Sequence, residues 1–163
     1  MCSHWRTVSD DWDSTRREIA YQEARAVIEA QNQTMTDIDD KAMRTVRLTV
    51  VLAGVLLTAY QYSPATFSVW ILGAAFLFLF LSAACGMVTY DESNLFLGPK
   101  GEYLEALAHD DIDGEDWDED LLEVFAGMIS ENHSDITFNA WVLKGCLASL
   151  GVAVLCVAVA VVI

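Results

Sequence analysis

The chain is poor in positive charge, in proline and in histidine, and over one long stretch it has no charge of either sign. Of its 163 residues only 9 are Lys or Arg against 24 Asp or Glu, a net charge of -15. A surface of that sign repels phosphate backbones instead of releasing their counterions, which disfavours a nucleic-acid partner. His4, His109 and His133 lie far apart in the sequence, without the His-Glu spacing of a metallohydrolase, and each reads as a surface residue. Cys2, Cys85, Cys146 and Cys156 form no CxxC pair, and three of them sit in apolar runs, where Cys behaves as a small apolar residue. Neither a zinc site nor a disulfide scaffold is expected. No apolar stretch precedes Cys2, so no secretory signal or lipoprotein cleavage site is expected. P-loop, Rossmann, Ser-His-Asp and metal motifs are missing. Membrane enzymes and ion-coupled carriers hold costly charges inside the bilayer, and the sole candidate here is Lys144 at the edge of an apolar run. Three helices are also too few for the inverted repeats of a secondary transporter. Neither an enzyme nor a cofactor is expected.

What the chain does have is apolar length. Two runs, Leu48–Tyr62 and Phe67–Tyr90, are joined by the turn Ser63–Thr66 with Pro64 inside it, and no Lys, Arg, Asp, Glu or His falls between Leu48 and Tyr90. At ~1.5 Å per residue the second run spans ~30 Å of hydrocarbon, and the first does so with flanking residues from about Met43. Backbone groups in lipid must satisfy one another, so both runs are predicted helices, 45–62 and 67–89, of a transmembrane hairpin over 43–90. A third run, Val142–Ile163, carries Lys144 at its leading edge and is the third predicted transmembrane helix. Tyr60, Tyr62, Trp70 and Tyr90 stand near run ends, as an aromatic belt does. Small residues recur every four at Gly145, Ser149 and Ala153, and at Ser82 and Gly86, a spacing that lets helix backbones approach closely. Such approach serves packing within the chain or between subunits of a homo-oligomer.

The net charge divides unevenly. Residues 1–47 carry 7 basic and 9 acidic groups, whereas residues 91–141 carry 1 basic and 15 acidic groups. An acidic aqueous part of this kind reads either as a halophilic surface, kept solvated in high salt, or as a specific cation or basic-partner site. The acids are spread without ligand spacing, which favours the first. An EF-hand register with Gly114 sixth puts Asp111 and Asp113 at the third and fifth positions but His109 first, Trp117 ninth and Asp120 twelfth. A register starting at Asp111 puts Asp116 where the Gly belongs, so calcium is not expected.

In chain order, residues 1–13 read as a lead-in with Trp5 and Trp12 suited to half-wet positions. A helix capped by Ser14 carries a thin stripe, Ile19, Ala20, Ala24, Val27, Ile28, Gln31 and Met35, that packs against the acidic segment or against copies of itself. Thr36 and Asp37 read as a break and a new cap. Lys41, Arg44 and Arg47 then share one face directly before the first run, while the 63–66 turn has no basic residue. The positive-inside rule therefore puts the N-terminal segment 1–42 in the cytoplasm of a multi-pass cell-membrane protein, the turn outside, the 91–141 segment in the cytoplasm and the C-terminus at the outer face. Within 91–141, Gly98–Gly101 reads as a turn, Glu102–Ala108 as a short helix, and Leu121, Leu122, Phe125, Met128 and Ile129 as an amphipathic stripe. That stripe either docks a cytoplasmic partner or covers the hairpin's end or the 14–35 helix. Asn132-His133-Ser134 matches a glycosylation acceptor that this topology leaves unused.

Asp39-Asp40-Lys41-Ala42, leading through Arg44 and Arg47 into the first membrane helix, resembles the Pycsar effector transmembrane domain and related membrane effectors of nucleotide-signalling defence systems. The order of elements is similar over residues 15–163: a cytoplasmic helix, an Asp-x-Lys-Ala motif, a tight hairpin, an amphipathic segment and a further membrane helix. The resemblance implies a subunit that oligomerises and disrupts the membrane when a sensor partner detects infection. Unlike the fuller members, this chain has no recognisable cyclic-nucleotide-binding domain. The expected fold is all-α: an integral membrane protein with three transmembrane helices and cytoplasmic helical segments. Two functions are carried forward, an oligomeric membrane-disrupting effector with Asp40, Lys41, Arg44 and Arg47 setting topology and holding the helix junction, and a membrane-anchored scaffold.

Overall fold

The computed structural model describes residues 8–91, 95–108 and 117–162. Four α-helices follow one another: α1 (Val8–Tyr62), α2 (Val69–Asp91), α3 (Gly101–Ala108) and α4 (Trp117–Val162), with one 3-10 turn, Pro64–Thr66, between α1 and α2. No strand occurs among the described residues, so the all-α expectation holds there. Trp5 and residues 109–116 of the trial calcium registers lie outside the described residues, as do the side chains of Trp12 and Ser14.

Three boundaries expected from the sequence are not boundaries. α1 begins before Ser14 and continues unbroken through Thr36 and Asp37. Thr and Asp cost a helix only a few tenths of a kcal/mol each, whereas Gly or Pro would cost about 1 to 3. No Gly or Pro occurs in α1 before Gly54, and Met35 and Ile38, on either side of the expected break, are both buried. α4 likewise passes from the Leu121–Ile129 stripe into the third apolar run without a break.

The chain forms two compact units, one of residues 1–33 and 95–134, the other of residues 34–94 and 135–163. In the first, Ile28 of α1 and Phe125 and Met128 of α4 form the buried centre, ringed by Tyr21, Ala24, Phe96, Leu121, Val124 and Ile129. Tyr21 meets Phe125 edge-on, with ring centroids 5.5 Å apart. The buried line on α1 is therefore Tyr21, Ala24, Ile28. Ile19 and Val27 of the expected stripe face outward, because a helix that meets one partner along a narrow seam buries steps of three and four only.

The second unit is a three-helix bundle. Its hairpin turns on Pro64, with the Ser63 N–H donating to Ala59 O at 3.1 Å and the Phe67 N–H to Pro64 O at 3.4 Å. Leu56, Leu72, Leu79 and Ala153 pack together toward the turn, with Tyr60, Phe67, Phe76 and Leu150 against them. Burial follows a heptad on each helix: Leu72, Ala75, Leu79, Ser82, Gly86 and Thr89 on α2, every seventh residue from Met35 through Ala42 and Thr49 to Leu56 on α1, and from Asn139 through Cys146 and Ala153 to Ala160 on α4. Steps of three and four sustained this way are the seam of coiled-coil-like packing. The seam is rich in small and polar residues, while Val50, Val55, Leu57, Leu77, Phe80, Leu147 and Leu155 stand exposed on the outside. Water would disfavour that arrangement; lipid favours it, since close backbone approach rather than apolar burial drives helix association there. All three long helices contain stretches apolar enough to cross a membrane, as in a multi-pass membrane protein.

Candidate functional site: the helix crossing and the basic end of the bundle

At the crossing of α2 with α1, Gly86 has no room for a side chain. A Cβ there would lie 2.5 Å from Val46 Cγ2 and 3.5 Å from both the Ala42 carbonyl oxygen and Cys146 Sγ. Ala42, fully buried, is the other half of this approach. One turn deeper, Ser82 and Cys146 bond reciprocally: Ser82 Oγ donates to Cys146 O at 3.0 Å and Cys146 Sγ donates to Ser82 O at 3.1 Å. Thr49 Oγ lies 3.4 Å from Ser82 Oγ and spends its hydrogen on Thr45 O, 2.9 Å away. Each hydroxyl thus has an acceptor, which is what a buried polar group in an apolar surround requires. Farther along the same seam, Asn139 is buried with its Nδ2 3.8 Å from Met35 Sδ, and its Oδ1 has no hydrogen-bond partner among the described residues.

The residues singled out from the sequence fall into distinct places. Ser82, Gly86 and Ala153 are buried on the seam, Ser149 is half-buried, and Gly145 faces outward with nothing within 4 Å of a Cβ built on it. Lys41, Arg44 and Arg47 are all exposed, and among the described residues Arg44 pairs with Asp40 of its own helix, at 3.5 Å with both side chains largely in the open. Such a pair is worth little. In the Asp-Lys-Ala motif it is therefore Ala42, not the charged residues, that touches a second helix. Lys144 joins the same end of the bundle, its Nζ 4.6 Å from the Trp141 ring centre.

In the first unit, Phe125 and Met128 are buried, and Leu121, Leu122 and Ile129 half-buried. Four of these five pack in the cluster formed with Tyr21, Ala24 and Ile28, so α1 already covers most of the face expected to dock a partner. Sequence reasoning missed Asn132. It is fully buried and grips the backbone of Phe96 twice, with the Phe96 N–H donating to Oδ1 and Nδ2 donating to Phe96 O, both at 2.9 Å. Gln31, read as an interruption of the stripe, donates to Ile129 O at 3.0 Å and accepts from Asn132 Nδ2 at 3.4 Å. The signal for both was an amide lying in register with apolar neighbours. With its amide engaged this way, Asn132 is closed to glycosylation in the folded chain. Arg17 clasps Asp118 at 2.6 Å and 2.8 Å, with Glu119 3.8 Å away, and this hydrogen bonding holds the Asp118 carboxyl below the usual carboxylate range. Burial, with the Asp120 carboxylate beside it, pushes the Tyr103 phenol up to about 12.

Among the described residues no group of three or more His, Cys, Asp or Glu is placed to hold a metal ion. A cavity of about 790 Å³ lies between α1 and the segment after α2, lined by Tyr21, Arg25, Glu29, Asn32, Leu97 and Pro99 among others. Comparison of the chain with known protein families, with characterised proteins and with solved structures finds no match.

Proposed function

We propose that the chain is a non-enzymatic multi-pass protein of the cell membrane that works as a homo-oligomer and permeabilises the bilayer, as an effector of an anti-viral defence system does. The N-terminus is cytoplasmic in this reading and the C-terminus lies at the outer face, because Lys41, Arg44, Arg47 and Lys144 all stand at the end of the bundle away from the uncharged turn. The observation that carries the oligomer is the outward placement of Gly145, with Gly54, Gly73 and Gly151, each open to the surroundings on an apolar surface. Glycine costs a helix about 1 kcal/mol relative to Ala, and close approach of a second copy offsets that cost. A single copy is packed along its seam, so a passage for ions requires several.

The test is membrane potential in cells expressing the chain under inducible control, beside a Gly145→Leu variant whose membrane insertion is confirmed. Depolarisation by the parent and not by the variant is the expected result. Depolarisation by both would remove Gly145 from the contact, and none by either would argue against a permeabilising role.

A second reading, a membrane-anchored module that docks a sensor or other cytoplasmic partner, is favoured by one observation. The cavity edged by Arg25, Glu29, Asn32, Leu97 and Pro99 is open and mixed in chemistry, and it would replace the largely covered Leu121–Ile129 face as the docking surface.

A further inference from the structure

We infer that Arg47 and Lys144 each bind the phosphate of an anionic phospholipid headgroup, their backbones set below the aromatic belt at the basic end of the bundle. The inference rests on the reading that the three long helices span a bilayer.

The levels of the three helices are fixed by their contacts. Thr49 meets Ser82, Gly86 lies against Ala42 and Val46, and Cys146 is bonded to Ser82. Arg47 is therefore level with the stretch between Ser82 and Gly86, and α2 continues past that level, free of charge, to Tyr90. At ~1.5 Å per residue, Tyr90 stands about 9 Å farther out than the Arg47 backbone. Trp141 precedes Cys146 by five residues, about 8 Å, and so reaches nearly the level of Tyr90. Tyr90 and Trp141 are both strongly exposed, as are Met87 and Val88 beneath Tyr90. A bilayer that covers Met87 and Val88 and meets Tyr90 and Trp141 at its interface places the backbones of Arg47 and Lys144 beneath that interface.

Both cations face outward, and neither has a carboxylate partner among the described residues. A lone cation at that depth is costly unless it finds water or an anion. The helix direction supplies the route. α1 and α4 both have their N-terminal sides at this end of the bundle, and Cα–Cβ bonds on a helix lean toward its N-terminus. The two side chains therefore lean toward the headgroups, and Lys144 already does so, lying back over Trp141. What waits there for an outward-leaning guanidinium and ammonium is phosphate. Arg44 differs in level: three residues before Arg47, its backbone stands about 4.5 Å farther toward the water, with the Asp40 carboxylate beside it. A net charge of -15 makes a diffuse attraction to anionic lipid implausible, so any preference must come from a local site.

The test uses the full chain in phosphatidylcholine vesicles, with spin-labelled phosphatidylglycerol or phosphatidylcholine as probe, reading the relative association constant of the protein-restricted lipid. One basic group near a membrane surface contributes about fivefold in affinity for acidic lipid. The expected result is a preference for phosphatidylglycerol of about fivefold or more, falling toward unity in Arg47→Gln/Lys144→Gln and retained in Arg44→Gln. Restricted lipid of both kinds with no preference, or a preference that survives the double substitution, overturns the lipid site and leaves the spanning reading standing. A preference abolished by inorganic phosphate at constant ionic strength makes the ligand free phosphate, which also overturns it. No restricted lipid of either kind means the chain does not span, and the underlying reading falls instead.

Discussion

Val46 fills the space that a side chain on Gly86 would need: a Cβ on the glycine would lie 2.5 Å from Val46 Cγ2. The valine has little rotamer freedom on a helix and cannot swing aside. Overpacking of this kind costs about 1 to 3 kcal/mol, against a helix-propensity gain of about 1 kcal/mol for Gly→Ala. Gly86→Ala is expected to destabilise the bundle on balance, and Val46→Ala in the same chain to restore it. Denaturant titration in detergent micelles, run as a double-mutant cycle, reads the coupling. Additive effects would mean the helices do not approach here.

Gly145 is the opposite case. With nothing near its Cβ position, Gly145→Ala is expected to stabilise the isolated chain by up to about 1 kcal/mol. Gly145→Leu, whose helix propensity is close to that of Ala, should likewise not weaken the single chain, while lowering the oligomer population, measured by cross-linking in membranes.

Asn132→Ala removes both bonds to the Phe96 backbone. Each buried polar group left unpaired costs about 1 to 3 kcal/mol. The Phe96 amide should lose protection in hydrogen exchange well before the α2 amides do. Asn132→Asp keeps the acceptor but loses the donor and adds a buried charge, so it is expected to do no better than Ala.

The Asp118 carboxyl is held low by Arg17, which fixes the sign of a pH dependence. A carboxyl whose folded pKa lies below its unfolded value contributes stability that is present at neutral pH and is lost as pH falls through the folded value. The stability of the 17–118 contact should therefore be flat from neutrality down to about pH 5 and fall below about pH 4. Arg17→Gln should remove that part of the acid dependence, followed by Trp117 fluorescence in a chain whose other tryptophans are replaced.

Much of the helical architecture is legible because the signals are coarse: a charge-free stretch, one proline between two apolar runs, and a third apolar run at the end. Rotational phase is not. Inside Val142–Ile163 almost every residue is apolar, so hydropathy cannot say which face turns inward. The every-four repeat Gly145, Ser149, Ala153 mixes an outward, a half-buried and an inward residue, whereas the buried line Asn139, Cys146, Ala153, Ala160 advances by sevens. Its place in an apolar run marks Cys146 only as a small apolar residue, though its thiol closes the bond pair with Ser82. The clasp at Asn132 was hidden for another reason: its partner is a backbone, and backbones carry no sequence signature.

The alternating threes and fours on α2 also bear on how such a chain can change length over generations. Each added residue turns the remainder of the helix by about 100°. One extra codon between Leu72 and Gly86 would therefore carry Leu72 off the seam, or Gly86 away from Val46, and put bulk where only hydrogen fits. Seven codons would restore the phase. Descendants of this gene should differ in α2 by substitution freely on the outer face, sparingly on the inner one, and in length by whole heptads.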